Sequence, residues 1–182
     1  HDKVGFYSLE TSPAKLTNRI IANRAIVDFG RINRREMTQE EWERVVRLKG
    51  EIMESDVELI PASGWSVQDI LSTALQRRHK IIFIDYLQQL TGRGKDRFEQ
   101  VTRISLDLHA MAQTHGILVV ALSQLNRAST ARPDAAPTLT DLRESGQIEQ
   151  DADAVLALYI NEEEHAPPNE RCLQVLKNKE GR

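Results

Sequence analysis

The run Ile81-Ile82-Phe83-Ile84, closed by Asp85, constrains this chain more than any other stretch. Four consecutive large apolar residues, three of them β-branched, predict a strand buried on both faces, and such strands belong to parallel sheets. The run ends abruptly on a carboxylate. The carboxyl ends of parallel strands are where open α/β sheets bind their ligands. Taken alone, the pattern also fits an ordinary strand entering a turn through an Asp, so the neighbouring segments decide.

Those neighbours repeat the pattern. Val4-Gly5-Phe6-Tyr7-Ser8-Leu9 reads as a short buried strand that Glu10 closes, and Ile117–Leu122 reads as another that runs out into Ser123-Gln124. Between them lie helices. Thr11-Ser12-Pro13 opens one that reaches about Phe29 and stops at Gly30. Thr38-Gln39-Glu40-Glu41 matches a capping box for the next. Val57–Ile60 is a brief strand, and Ser66–Asp69 caps a helix carrying Ile70, Leu71 and Leu75. Thr91–Arg97 is a polar, mildly basic loop; apolar residues then recur at helical spacing from Phe98 to Ala112, up to His115-Gly116. Asn126–Thr138 is loop-like, and Ala152–Ile160 and Cys172–Leu176 are the last strands. Strands alternating with helices in this way predict βαβ units: an α/β fold with a mainly parallel sheet flanked by helices.

Composition narrows the function classes. With 182 residues and 40% hydrophobic content, the chain suits one compact domain. A formal net charge of −3 argues against a protein that coats nucleic acid, so any such contact must come from a local cluster or an assembled surface. The single Cys172 excludes an intrachain disulfide and fits a reducing compartment. The five His lack metal-site spacing. No apolar run is long enough for a membrane span and no signal peptide is seen, so a cytoplasmic location is expected.

Three strands thus end in Glu10, Asp85 and Gln124, and parallel strands deliver such ends to one edge. The chemistry available there is phosphoryl transfer. One carboxylate can orient and deprotonate a water, a second can hold Mg²⁺ directly or through water, and an amide can sense a γ-phosphate. Positioning and charge stabilisation supply most of that catalysis.

The most specific stretch is Asp141-Leu142-Arg143-Glu144-Ser145-Gly146-Gln147-Ile148-Glu149-Gln150-Asp151-Ala152-Asp153. It resembles a segment of the ATPase domain of hexameric replicative DNA helicases of the DnaB type. Ser8-Leu9-Glu10, Ile84-Asp85-Tyr86-Leu87-Gln88 and Leu122–Arg127 are similar to that family's catalytic-Glu strand, Walker B strand and sensor segment, in the same order. The resemblance implies a RecA-like P-loop NTPase fold, with residues 1–182 forming part of the helicase ATPase domain. It implies Glu10 as general base, Asp85 as the carboxylate associated with ATP and Mg²⁺, and Gln124 as γ-phosphate sensor. Arg143, Glu144 and Gly146 fall where the family contacts single-stranded DNA. Lys177 and Lys179 fall where it presents Lys-x-Arg to the ATP of a neighbouring subunit. The second position here is Lys, a point charge without the bidentate fork; RecA-type recombinases are similar in using a Lys-x-Lys pair. Implied partners are single-stranded DNA and further copies of the chain in a homohexamer, with primase and a helicase loader as candidates.

No G-x-x-x-x-G-K-[ST] occurs anywhere in the chain. Gly92-Arg93-Gly94-Lys95 has the wrong spacing and follows the Asp85 strand. In the family the phosphate-binding loop and its strand lie just upstream of the strand that opens this chain. The expectation is therefore a domain cut before that loop, with no ATP hydrolysis by these residues alone. The first strand of a RecA-like sheet lies between the strand ending at Gln124 and that of Ala152–Ile160. Its loss leaves strand edges facing a gap, so the fragment should close the gap, pair with another chain or be marginally stable. Two other readings stand beside the helicase motor. One is a RecA-like recombinase or signalling ATPase, which Lys177-Asn178-Lys179 favours; the other is a non-catalytic binding module lacking a nucleotide loop.

Overall fold

The structure, a computed structural model, describes residues 2–126, 136–142, 146–160 and 170–181. Four strands, β1 (Lys3–Ser8), β2 (Val57–Pro61), β3 (His79–Asp85) and β4 (Leu118–Ala121), form a parallel sheet in the order β2-β1-β3-β4. Six α-helices occur among the described residues: α1 (Pro13–Ala25), α2 (Phe29–Arg34), α3 (Gln39–Met53), α4 (Val67–Arg77), α5 (Arg97–His115) and α6 (Gly146–Asp151). The α/β fold with a mostly parallel sheet is as the alternation of strands and helices implied.

One face of β1 and β3 makes the core. Tyr7, Ile82 and Ile84 are fully buried together with Ile70 and Ala74 of α4 and Val101 and Ile104 of α5. Each such aliphatic side chain stabilises the fold by about 1.5–3 kcal/mol relative to exposure. The opposite face is less covered than the apolar run suggests. Ile81 and Phe83 are only half-buried, and Phe83 stacks on its cross-strand partner Phe6 at 6.1 Å between ring centroids.

Ile117–Leu122 also departs from the expected buried strand. Only Leu118–Ala121 is strand, and Leu118 and Leu122 are exposed. The reason is position: β4 is the last strand of its sheet, and its outer edge pairs with no strand among the described residues. The final two strands, β5 (Ala154–Ile160) and β6 (Arg171–Asn178), pair antiparallel with each other as a separate sheet. β4 and β5 are not paired, at the place where the resemblance puts one further strand.

Helix ends follow local chemistry. Thr38 and Glu41 exchange both bonds of a capping box at the start of α3, and Ser66 and Asp69 do the same for α4. Asp96 caps α5, and Gly116, at φ +59°, ends it. The first helix is shorter than expected. It stops at Ala25 because Ile26 takes the left-handed conformation, and Asp28 then accepts from Arg31 N at 2.9 Å to start α2. Gly30 therefore lies inside α2 and terminates nothing.

A polar cluster closes the N-terminal end of the sheet. Tyr7 Oη lies 3.0 Å from His79 Nδ1. His79 Nε2 is buried without a hydrogen bond, 3.7 Å from the Glu58 carboxylate that Arg77 holds at 2.7 Å. Gly5 leaves the room this cluster needs: a Cβ there would collide with the His79 ring and meet Tyr7 Cε2 at 2.7 Å.

Candidate nucleotide site

The opposite, C-terminal edge of the sheet carries the candidate chemistry. Ser8 of β1 is in register with Asp85 of β3, and Leu9 N donates to Asp85 O at 2.9 Å. Glu10 follows at once, exposed, on a turn fixed by Ser8 Oγ donating to Thr11 O at 2.7 Å. Glu10, two residues past the end of β1, thus lies near enough to Asp85 at the end of β3 for its charge to be felt there. Burial raises the Asp85 pKa above the ordinary carboxylate value, the Glu10 charge adds to the rise, and Arg19 of α1 opposes it. A half-buried carboxylate facing a second one attracts a cation.

Gln124 belongs to the same edge. β4 lies beside β3, Leu122 N donates to Ile84 O at 3.0 Å, and Leu87 N donates to Leu122 O at 2.8 Å. The chain then runs on through Ser123 to Gln124, whose side chain is exposed. Beyond it, Asn126 N donates to Asp141 O at 2.8 Å, and Leu125 and Leu142 form an antiparallel bridge. The residue before Arg143 is therefore stitched to the residue after Gln124.

The remaining sequence candidates are placed less directly. Arg143 and Glu144 lie outside the described residues. Gly146 opens α6, exposed, with open space where a Cβ would stand. Lys177 donates through Nζ to the carbonyls of Glu149 and Gln150, and Lys179 to Asp151 O at 3.3 Å and the Asp153 carboxylate at 2.8 Å. Those contacts neutralise the C-terminal turn of α6, where backbone carbonyls carry partial negative charge. They do not join the two lysines to the Glu10–Asp85 edge.

Sequence reasoning missed three participants. Arg19 reaches Asp85 electrostatically from a helix face, Gln88 is a buried amide in the turn after β3, and Asp141 is a buried carboxylate accepting from Thr138. Gln88 and Asp141 had a signal, since they stand within the Ile84–Gln88 and Asp141–Asp153 motifs; Arg19 had none. A groove of about 700 Å³ between α1, α2 and α3, lined by Asn18, Ile21, Ile32 and Trp42 among others, contains none of Glu10, Asp85 or Gln124. The candidate chemistry is at the strand ends, not in that groove.

The parallel strands and flanking helices define an α/β domain of the RecA-like ATPase kind. Within it, the chain belongs to the DnaB-like helicase C terminal domain family, whose model matches residues 1–182. It is 37% identical over 165 residues to the replicative DNA helicase DnaB of Rickettsia typhi (strain ATCC VR-144 / Wilmington), covering 87% of this chain and 33% of that protein. It is 36% identical over 184 residues to a probable plasmid replicative DNA helicase of Chlamydia trachomatis, covering 98% of this chain and 40% of that protein. The chain therefore spans roughly a third of the length of the curated relatives it matches. Two solved structures superpose at a TM-score of 0.92 with 34% identity over the whole chain. One is an ATPase domain, of which 68% is covered. The other is a DnaB-like replicative helicase described with its interactions with primase, of which 46% is covered.

Proposed function

We propose that residues 1–182 are the motor part of a replicative DNA helicase, in which ATP hydrolysis drives single-stranded DNA through a ring of six like subunits. The observation that carries this reading is that the adjacent parallel strands β1, β3 and β4 bring Glu10, two residues past Ser8 in register with Asp85, and Gln124, three residues past the end of β4, to one sheet edge in a chain of this family. Glu10 is exposed at the edge and would accept the proton of the attacking water. Asp85 would hold Mg²⁺, which when bound neutralises charge between the β- and γ-phosphates. Among the described residues no group of three or more His, Cys, Asp or Glu could hold a metal ion, so phosphates and water would supply most of the ligands. The donor set fits that arrangement.

Gln124 would sense the γ-phosphate through its amide. The Leu125–Leu142 bridge gives it a short mechanical path to Arg143, Glu144 and Gly146, which would grip DNA phosphates without regard to sequence. Lys177 and Lys179 would serve the neighbouring subunit's nucleotide after leaving the α6 carbonyls. Primase and a loader are further partners of the whole protein.

The test is unwinding of a forked duplex by the intact protein, with ATP turnover followed in parallel. Glu10→Gln should keep nucleotide binding and lose at least about 100-fold in turnover, the scale of removing a positioned general base. Arg143→Ala should weaken single-stranded DNA binding and reduce its salt slope by about one. Strand exchange on homologous DNA without fork unwinding would favour the recombinase reading and contradict this one.

A further inference from the structure

We propose that Gln88 is the positioning residue for Gln124: its buried side-chain amide spans from the turn after β3 to the segment after β4 and fixes the backbone from which the sensor projects. The inference rests on the helicase reading and adds to it a residue that touches neither nucleotide nor DNA.

Gln88 follows Asp85 by three residues and is 6% exposed. A buried primary amide is costly unless its polar atoms are paired. Here Nε2 donates to Ser123 Oγ at 2.9 Å, and Oε1 accepts the Gln124 backbone N–H at 3.3 Å. The Gln88 carbonyl accepts from the Arg97 guanidinium at the start of α5, which anchors the turn itself. The ladder bonds between the two segments stop at Leu122, and the next backbone pairing starts with the Leu125–Leu142 bridge. Ser123 and Gln124 lie in the interval, and the Gln88 amide spans it.

The Gln88 amide supplies both the donor and the acceptor that these two bonds use. A carboxylate offers acceptors alone, and an aliphatic chain offers neither group. Without Gln88 the Gln124 N–H loses this partner, and the sensor side chain loses a defined base. A reacting group displaced by about 1 Å costs on the order of 100-fold in rate.

The experiment uses the intact protein containing this chain, with single-turnover ATP hydrolysis so that slow variants stay measurable. Gln88→Met conserves volume and deletes both side-chain bonds. It should slow the hydrolytic step about 10-fold while the half-saturating ATP concentration moves less than about 2-fold. The double variant Gln88→Met/Gln124→Ala should be no slower than Gln124→Ala alone, because Gln88 acts through Gln124. Ser123→Ala, which removes one partner and leaves the buried amide in place, should show a smaller loss with the same non-additivity. An unchanged rate in Gln88→Met, or losses that multiply in the double variant, would overturn the assignment. A wild-type protein without ATP turnover would contradict the helicase reading itself, a different and separable result.

Discussion

Asp85 sits in an environment that works against its own charge. Burial and the neighbouring Glu10 raise its pKa, so the folded state favours the neutral acid more than the unfolded chain does. By linkage, that group adds stability below its unfolded pKa and withdraws it as pH rises through the window up to the raised folded value. Asp85→Asn should therefore raise the urea midpoint at neutral pH and abolish ATP turnover in the intact protein. A lowered midpoint would contradict the site's electrostatics. His79 has the opposite sign of dependence at the other rim. Burial depresses its pKa and the Glu58 charge only partly restores it, so protonation on acidification opposes folding. Stability should fall as pH drops below about 6.5, the ordinary imidazole value, and His79→Gln should flatten that slope. Gly5→Ala, which drives a Cβ into the His79 ring, should cost about 1–3 kcal/mol by denaturant unfolding. The placement of Glu10, Asp85 and Gln124 near one sheet edge was legible because each follows closely on an apolar run. Arg19 and Gln88 were not, because their partners come from β3 and from the segment after β4, which only tertiary packing brings near.

Among the elements, legibility follows whether the signal is local. The α3 and α4 capping boxes are fixed by residues three apart, and both formed as expected. Thr38→Ala should cost about 1 kcal/mol, read as a lower thermal midpoint with an unchanged fold. The end of α1 was illegible because Ile26, a residue that enters the left-handed region at a cost of about 1–2 kcal/mol, takes the place a Gly usually marks. The six-residue helix α6 falls in a stretch whose periodicity predicts no element; too short to nucleate alone, it is held by tertiary bonds. Lys177 and Lys179 hold its carbonyl end, while Asp151 accepts from Ser105 Oγ of α5 at 2.7 Å. β4 shows the converse. Its apolar residues were read correctly as strand and wrongly as interior, since burial depends on which strands lie alongside.

At the scale of the molecule, the strands divide into a four-stranded parallel sheet and a separate two-stranded antiparallel sheet. Leu156, Leu158, Leu173 and Val175 share one exposed face of the smaller sheet. Among the described residues the outer edge of β4 has no strand beside it, and Leu118 is exposed there. Such apolar faces and edges promote association. A polypeptide of these 182 residues should accordingly self-associate in sedimentation or unfold at low denaturant. A monodisperse monomer with the unfolding midpoint of an intact domain would contradict that. The order of helices and parallel strands was legible because hydrophobic periodicity reports it directly. The split between the two sheets follows from spatial adjacency, which periodicity does not encode. The helicase reading depends on one edge receiving a nucleotide. The most direct measurement is a structure of the intact protein with a non-hydrolysable ATP analogue and Mg²⁺. The expected result is the cation within one water of Asp85, the γ-phosphate at the Gln124 amide and the Glu10 carboxylate facing the attacking water. A nucleotide bound elsewhere, with Glu10 and Asp85 both turned to bulk solvent, would contradict it.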